Sequence, residues 1–158
     1  MANTASMCTS FMGEILTATH NFGTAPTRGT TAADTFKAAL YLTTATVDAS
    51  TTAYSATNEV SGSGYTAGGV AVTNATAPTA TNSSATAGVA YWTPSASITY
   101  TSVTLATAFN AVLVYNSTQS NKAVAVYTFG SQTITAGTFT LTMPSNTTTT
   151  ALLRLSTT

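Results

Sequence analysis

The chain carries very little charge. Only 5% of its 158 residues are Asp, Glu, Lys or Arg, and the formal net charge is zero. An ordinary soluble domain contains about 25% charged residues. Because no basic stripe is present to neutralise phosphates, the sequence argues against nucleic-acid binding. A monomer with so few charges would tend to associate, so we expect partner subunits to cover much of its surface.

Cysteine and long apolar runs are also scarce. The single cysteine, Cys8, excludes an internal disulfide and any multi-cysteine metal site, and we expect it in a flexible N-terminal segment. No apolar run approaches the roughly 18 residues of a membrane-spanning helix, so no membrane contact is predicted. The first residues lack the basic start and continuous apolar core of a signal peptide. We therefore expect a protein that is made and assembled inside a cell.

Groups that carry chemistry are few as well. The chain has one histidine, His20, and its acidic residues are Glu14, Asp34, Asp48 and Glu59. A Ser/His/Asp arrangement needs a carboxylate that orients the histidine, and these four acidic residues are the only candidates for that role. Asp48 and Glu59 share only their charge with a glycosidase pair, and the scattered ligands form no metal cluster. The sequence therefore predicts no enzyme, no catalytic residue, no cofactor and no metal site, with His20 structural or exposed.

Threonine is the commonest residue, and 44% of the chain is hydrophobic. Threonine is β-branched and packs well on a pleated surface. Alternation of apolar and polar residues indicates half-buried strands, and turn residues separate them. The predicted strands are 35–45, 69–76, 89–94, 97–106, 109–116, 123–130, 137–144 and 151–156. This pattern is typical of an all-β, antiparallel β-sandwich that is jelly-roll-like or immunoglobulin-like.

Helical periodicity is confined to the N-terminal segment. Phe11 and Ile15 are spaced i,i+4, which predicts a short helix of about two or three turns. We expect an N-terminal arm with this helix over residues 1–33 and a β-sandwich over residues 34–158, in one compact domain overall. Two stretches that are poor in large apolar residues are predicted to be long loops or arms: 44–57 and 76–88.

One motif stands out, NEVSGSGYTAGG at residues 58–69. Its distinctive residues are Glu59, Gly62, Gly64, Tyr65, Gly68 and Gly69. A dinucleotide-binding G-x-G-x-x-G needs a helix after its glycines, but here the third glycine comes one position late and a strand follows. A P-loop needs a lysine where this chain has Val70, and Glu59 stands almost alone, which argues against a metal loop. The motif is therefore predicted to be a structural turn whose glycines adopt positive φ.

Aromatic residues could also recognise a ligand. Tyr91 and Trp92 precede Thr93-Pro94, and further tyrosines fall on later predicted strands. Such side chains can stack on sugars or bases, but aromatics in strands lie more often in cores or interfaces, and we favour that interpretation. The candidate partner contacts are Phe11, Ile15, Tyr91 and Trp92.

The distinctive segments follow one another in a characteristic order. They are a helix that ends in His-x-Phe (FMGEILTATHNF), DTFKAALYL, the 58–69 motif, YWTP, FNAVLVYN and AVAVYTFGSQTITAGTFTLTMP. Together they resemble a family of small virion proteins of tailed bacteriophages over residues 11–155, most specifically in the 58–69 motif. Two features depart from the family's pattern: Ser131-Gln132 stands where an acidic residue is common, and Ala18-Thr19 stands where glycine usually precedes the histidine.

The resemblance implies a structural role without chemistry, in a virion assembled in the host cytoplasm. Low charge and long loops favour a capsid decoration or cement protein whose partner is the major capsid protein. The local three-fold axes of a capsid would favour a homotrimer. The alternative is a tail fibre, adaptor or receptor-binding component, whose exposed aromatics would bind a host glycan. No constellation of residues supports a hydrolase, and the missing signal peptide argues against an exported bacterial fibre subunit.

Overall fold

The computed structural model describes residues 4–16, 18–22, 33–73, 77–81 and 88–156. This part of the chain contains one helix and eight strands. In chain order they are β1 (Thr4–Met7), α1 (Thr9–Leu16), β2 (Phe36–Leu42), β3 (Val70–Val72), β4 (Thr79–Ala80), β5 (Val89–Trp92), β6 (Ile98–Asn116), β7 (Lys122–Leu141) and β8 (Leu153–Ser156).

The strands form two antiparallel sheets. The larger sheet has the order β1-β7-β6-β2-β3, and the smaller sheet has the order β4-β5-β8. Aromatic side chains connect them, because the ring of Trp92 on β5 lies 4.6 Å from that of Phe22 and 6.5 Å from that of Phe36 on β2, measured between centroids. The predicted all-β, antiparallel sandwich with a short N-terminal helix is therefore confirmed.

β2 lies inside the larger sheet, between β3 and β6. It begins at Phe36 and ends at Leu42, inside the predicted strand at 35–45, and β3, β5 and β8 also fall within predicted strands. The half-buried character predicted for β2 is wrong, since Ala39 and Tyr41 on the second face are buried too. The loop that follows β2 lies over this face, where the Tyr41 hydroxyl donates to the carbonyl of Ser55 at 2.5 Å.

β6 and β7 form one long hairpin. The sequence predicts two strands in the place of each, but β6 is continuous over Ile98–Asn116 and β7 over Lys122–Leu141. Most of the register shifts in their pairing lie between Tyr100 and Ala111. The prediction of interrupted strands is wrong because these bulges absorb the local breaks in alternation without ending the ladder.

Away from its turn, the hairpin is more exposed on β7 than on β6, where Tyr100, Val103 and Leu105 remain buried. Near its turn, residues 123–127 of β7 are all buried, whereas residues 129–141 are half-buried or exposed. We call residues 98–108 of β6 together with 129–141 of β7 the outer ribbon. It extends beyond β1 and β2, whose pairing with the hairpin stops at Thr128 and Phe109 respectively.

The N-terminal segment shares this core. β1 pairs with β7 along its whole length, and α1 confirms the predicted short helix. Cys8 and Phe11 are fully buried, and burial raises the pKa of the Cys8 thiol to about 11. The expectation of a flexible segment around Cys8 is therefore wrong, because backbone pairing between β1 and β7 holds this segment in place. Backbone pairing of this kind cannot be recognised from the side chains in the sequence.

The predicted loop at 44–57 is described throughout and contains no strand. It packs beside the hairpin turn, where Ala53 forms a bridge with Lys122 and the Tyr54 N–H donates to the Asn121 carbonyl at 2.9 Å. Of the second predicted loop, at 76–88, β4 occupies a part, and residues 76 and 82–87 lie outside the described residues.

Candidate functional site

The glycine motif at 58–69 forms the turn that the sequence predicts. Gly64, Gly68 and Gly69 have φ values of +77°, +86° and +72°, which glycine adopts without side-chain strain. Gly69 also touches the core of the larger sheet, because a Cβ added there would lie 1.7 Å from the carbonyl oxygen of Ala38 on β2. The predicted positive φ is confirmed at these residues, and at Gly69 it allows the turn to pack against the backbone of β2.

The first glycines of the motif lie against the outer ribbon. A Cβ added at Gly62 would lie 2.1 Å from the carbonyl oxygen of Thr104, and one added at Gly64 would lie 2.3 Å from that of Ser102. Ser63 forms a bridge with Thr104, whose N–H donates to the Ser63 carbonyl at 2.9 Å. The glycine motif therefore covers the border of the outer ribbon that β6 forms.

Glu59 is the centre of a hydrogen-bond cluster rather than an isolated residue. Its carboxylate accepts from the hydroxyls of Tyr54 and Tyr65, each at 2.6 Å, and from the Gly68 N–H at 2.7 Å. Hydrogen bonds to an ionised acceptor are about twice as strong as neutral ones. Glu59 thus ties both halves of the motif to each other through hydrogen-bond donors, none of which is another acidic side chain.

Tyr115 of β6 joins this cluster. Its hydroxyl donates to the Gly68 carbonyl at 2.8 Å, and its ring stacks on that of Tyr54 with centroids 4.6 Å apart. We call Glu59, Tyr54, Tyr65 and Tyr115 the tyrosine cluster. Tyr65 anchors it to β2, since its oxygen accepts from the Leu40 N–H at 3.0 Å.

The tyrosine hydroxyls remain protonated donors. Burial, followed by the neighbouring Glu59 carboxylate, raises the pKa of both Tyr54 and Tyr65 above its ordinary value. Burial raises the pKa of nearby Tyr41 to about 12. At neutral pH the cluster therefore offers no phenolate that could act as a nucleophile.

A second cluster surrounds the single histidine. The His20 side chain is fully buried, and its Nε2 lies 2.7 Å from a carboxylate oxygen of Glu14, whose other oxygen pairs with Lys122. Its Nδ1 lies 3.0 Å from the amide nitrogen of Asn116, which also donates to Asp34 at 2.7 Å. We call these five residues the N-terminal cluster, because they connect the segment around α1 to the ends of β6 and β7.

Hydrogen bonds fix the orientation of Asn116 and hence the tautomer of His20. The Asn116 Oδ1 accepts from the backbone N–H groups of Thr118 and Gln119, each at 3.1 Å. The amide nitrogen must then face His20, so the His20 Nδ1 is an acceptor and its proton resides on Nε2, which donates to Glu14. Both ring nitrogens are thus occupied by structural partners.

Asp34 is the remaining member of the N-terminal cluster and precedes β2 in the chain. It is 5% exposed, and its carboxylate accepts from the Asn21 N–H at 2.9 Å and from the Gln119 side chain at 3.1 Å, in addition to Asn116. Three donors around one buried carboxylate satisfy it in the way that buried charge requires. Asp34 therefore belongs to the framework of the fold.

Burial and bonding act in opposite directions on Glu14. Burial raises the pKa of the carboxyl, but hydrogen bonds and attraction from Lys122 and His20 outweigh it, so the pKa lies below its ordinary value of 4.5. Glu14 is consequently ionised at neutral pH. It forms a histidine–carboxylate pair, but a catalytic triad also needs a hydroxyl on the histidine, and the amide of Asn116 occupies that place.

The four candidate contact residues fall into two groups. Phe11 is fully buried and Trp92 is 5% exposed, so the structure does not support either as a partner contact or a sugar platform. Ile15 and Tyr91 are half-buried and line a cleft of about 140 Å³ between α1 and the smaller sheet. Phe22, Trp92 and the 56% exposed Leu155 also line this cleft.

Within the described residues, no group of three or more His, Cys, Asp and Glu side chains could hold a metal ion. No helix in that part of the chain is long and apolar enough to cross a membrane.

No protein-family model, curated protein or solved structure matches this chain. The resemblance to phage virion proteins therefore remains a prediction from the sequence.

Sequence reasoning missed Asp34, Asn116 and Tyr54 as interacting residues. Asp34 and Asn116 flank β2 and β6, and the antiparallel pair Phe36↔Asn116 brings them together. A polar residue at the end of an apolar strand is the signal that could have pointed to each. Tyr54 gave no such signal, because it lies in a loop of small polar residues.

Proposed function

We propose that this chain is a non-enzymatic structural protein of a bacteriophage virion and that it acts as a capsid decoration or cement protein. The observation that supports this proposal is the internal use of its ionisable groups. The bonded groups are His20, Glu14, Asp34, Asp48 and Glu59. Side chains that hold the fold in this way are not free for chemistry, which leaves contact as the function that the geometry supports best.

The uncharged surface suits a protein that binds by burying area. Removing an ion from water costs on the order of several kcal/mol, and that cost does not arise where exposed side chains are threonine, serine and alanine. Such side chains predominate on β7, where Thr133, Thr135, Thr138 and Thr140 are all exposed. Interfaces between neutral surfaces depend on shape and a few apolar anchors, and salt does not screen them.

The major capsid protein is the partner that this role requires. A copy that contacts two neighbouring capsid subunits would resist their separation, because both contacts have to break together. Ile15, Tyr91 and Leu155, around the cleft beside α1, are the apolar anchors that we assign to this contact.

A tail fibre, adaptor or receptor-binding component is the second candidate. The cleft also favours it, since Tyr91 and Arg154 border an apolar depression in which a ligand ring could lie. Buried Trp92 contributes the floor of such a site rather than a free stacking surface.

The copy number in virions distinguishes the two roles. A cement protein that follows the capsid lattice would be present in on the order of hundreds of copies per particle, and a tail component in roughly six or twelve. Quantitative mass spectrometry of purified virions measures this ratio against the major capsid protein. Absence of the chain from purified virions would overturn both roles.

Rebinding to stripped particles tests the cement role directly. We expect the purified chain to restore heat resistance to particles from which it was removed, equally well at low and high salt. Tyr91→Ser and Leu155→Ser should weaken rebinding, while Thr57→Ser, an exposed change in the 44–57 loop, should not. Rebinding that disappears at high salt would contradict the neutral interface.

A further inference from the structure

The two borders of the outer ribbon differ in how they are covered. On the β6 border, the glycine motif lies against the backbone at Ser102 and Thr104. On the β7 border, β1 pairs only as far as Thr128. From residue 129 to residue 141, no strand in the described part of the chain pairs with the side of β7 that faces away from β6. We call this stretch of backbone the outer edge of β7.

The outer edge of β7 lacks the charges and prolines that often keep strand edges apart. Its sequence, FGSQTITAGTFTL, contains no Lys, Arg, Asp, Glu or Pro. Soluble proteins protect exposed edges with such residues, with short lengths, with covering loops or with β-bulges. Shifts in the register with β6 interrupt β7 between Thr128 and Gln132 and between Ile134 and Gly137, where Ala136 has a φ of +46°. The edge therefore bends at these two places, but it is uncharged, and no strand of the described chain pairs with it.

We propose that the outer edge of β7 pairs with the same edge of a second copy of this chain. The pairing is antiparallel across a two-fold axis, so that each copy both gives and receives the same contacts. It continues the larger sheet from one copy into the other by main-chain hydrogen bonds.

A second copy fits this edge better than the other edges that the chain offers. Among the described edge strands, β1 and β8 have four residues each, β3 has three and β4 has two, so none could cover a stretch of this length. The outer edge of β7 matches itself in length. It also matches itself in charge, since two uncharged edges meet without repulsion.

Side chains beside the edge support the same contact. A shallow groove along it is lined by Phe129, Gln132 and Phe139. The rings of Phe129 and Phe139 lie 5.1 Å apart and are only half-buried in the single chain. Gly130 has open space around it, with no atom within 4 Å of an added Cβ. The second copy would fill this space and complete the burial of the two rings.

This inference concerns the free chain and does not depend on its place in a virion. A two-fold pair would give an even-numbered assembly, in contrast to the trimer that capsid symmetry suggests. The mass of the purified chain in solution, measured by sedimentation equilibrium, therefore tests the pairing apart from the proposed function.

Lysines on the edge give the decisive comparison. We expect the wild-type chain to be a dimer. The double variant Thr133→Lys, Thr135→Lys places like charges of the two copies beside each other and should weaken dimerisation by about tenfold or more. Thr101→Lys, an equally exposed change on β6, is the matched control and should leave the dimer intact. A monomeric or trimeric wild type would overturn the proposal, as would a double lysine variant that dimerises as strongly as wild type.

Cysteine cross-linking tests the geometry in chains that keep the native edge. In a two-fold antiparallel pair, residues near the axis face their own equivalents, so one of Ser131→Cys, Thr133→Cys and Thr135→Cys should give a covalent dimer on mild oxidation. The native Cys8 is fully buried and serves as the internal negative control. Failure of all three variants to cross-link, in a chain that is dimeric by mass, would place the interface elsewhere.

Discussion

The N-terminal cluster and the tyrosine cluster are both organised around carboxylates, but they connect different distances along the chain. In the first, Asn116 bonds to His20 and Asp34, which are 96 and 82 positions away. In the second, Glu59 accepts from Tyr54, Tyr65 and Gly68, which are five, six and nine positions away. The N-terminal cluster joins segments that lie far apart in the chain, whereas the tyrosine cluster holds the conformation of one loop. Damage to the first should therefore be global, and damage to the second more local.

Breaking the N-terminal cluster should give the largest effect. Asn116→Ala removes an amide that is fully buried and bonded at both ends, leaving His20 and Asp34 without their shared donor. We expect the free energy of unfolding to fall by about 3 to 5 kcal/mol, because the buried Asp34 carboxylate loses one of its three donors and the buried His20 Nδ1 loses its donor. Denaturant unfolding followed by circular dichroism measures the loss. Asn146→Ala, an exposed change, should be neutral within about 0.5 kcal/mol.

Moving the glycine motif should give the next largest effect. Gly69→Ala forces a Cβ against the Ala38 carbonyl and imposes positive φ on a residue with a side chain, so we expect a loss of about 3 kcal/mol. Gly130→Ala is the matched control, since no atom of the same chain lies within 4 Å of the added Cβ. Both substitutions are compared in the Thr133→Lys, Thr135→Lys chain, where the outer edge of β7 is expected to be unpaired. Gly130→Ala should change stability by less than about 1 kcal/mol. Equal effects of the two substitutions would mean that the motif does not press on β2.

Weakening the tyrosine cluster without moving it should cost less. Glu59→Gln keeps the shape of the side chain but replaces a charged acceptor by a neutral amide, whose nitrogen must face one of the present donors. We expect the free energy of unfolding to fall by about 1 to 2 kcal/mol. Amide hydrogen exchange should accelerate more at the Gly68 N–H than at the N–H groups of β2. Asp48→Asn, at an exposed turn with Ser50, is the comparison and should cost less. Exchange that rises equally throughout the sheet would contradict a local role.

The smallest effect is expected from acid acting on the N-terminal cluster. The pKa of Glu14 is lower in the folded chain than its ordinary value of 4.5. Its contribution is therefore present above pH 4.5 and is lost as the pH falls through the lowered value. Glu14→Gln should be less stable than wild type at neutral pH by at most about 1 kcal/mol. The two chains should converge in acid, and a difference that does not vary with pH would exclude this explanation.

The sequence showed local features better than distant ones. The alternation in Phe36–Leu42 predicted β2 as a strand, and the glycines at 64, 68 and 69 predicted positive φ. In both cases a few neighbouring residues determine the conformation. The hydrogen bonds of the tyrosine cluster were not visible, although Glu59, Tyr65 and Gly68 all belong to the predicted motif.

Features that depend on distant pairing were not visible. β1 has no alternation, and only its partner β7 makes it a strand. The breaks that divided β6 and β7 into shorter predicted strands are real irregularities of sequence, which bulges accommodate once the two strands lie side by side. Likewise, nothing between Asp34 and Asn116 along the chain indicates that they meet, because that meeting is a product of the β2–β6 register.

The position of β1 also bears on when the protein can fold during synthesis. Its residues 4–7 pair with residues 125–128, so β1 has no partner until the first half of β7 has been made. Contacts of such long range slow folding, since the loop between them has to close first. The outer edge of β7 emerges later still. It therefore cannot join neighbouring chains before the strands that it extends have been synthesised.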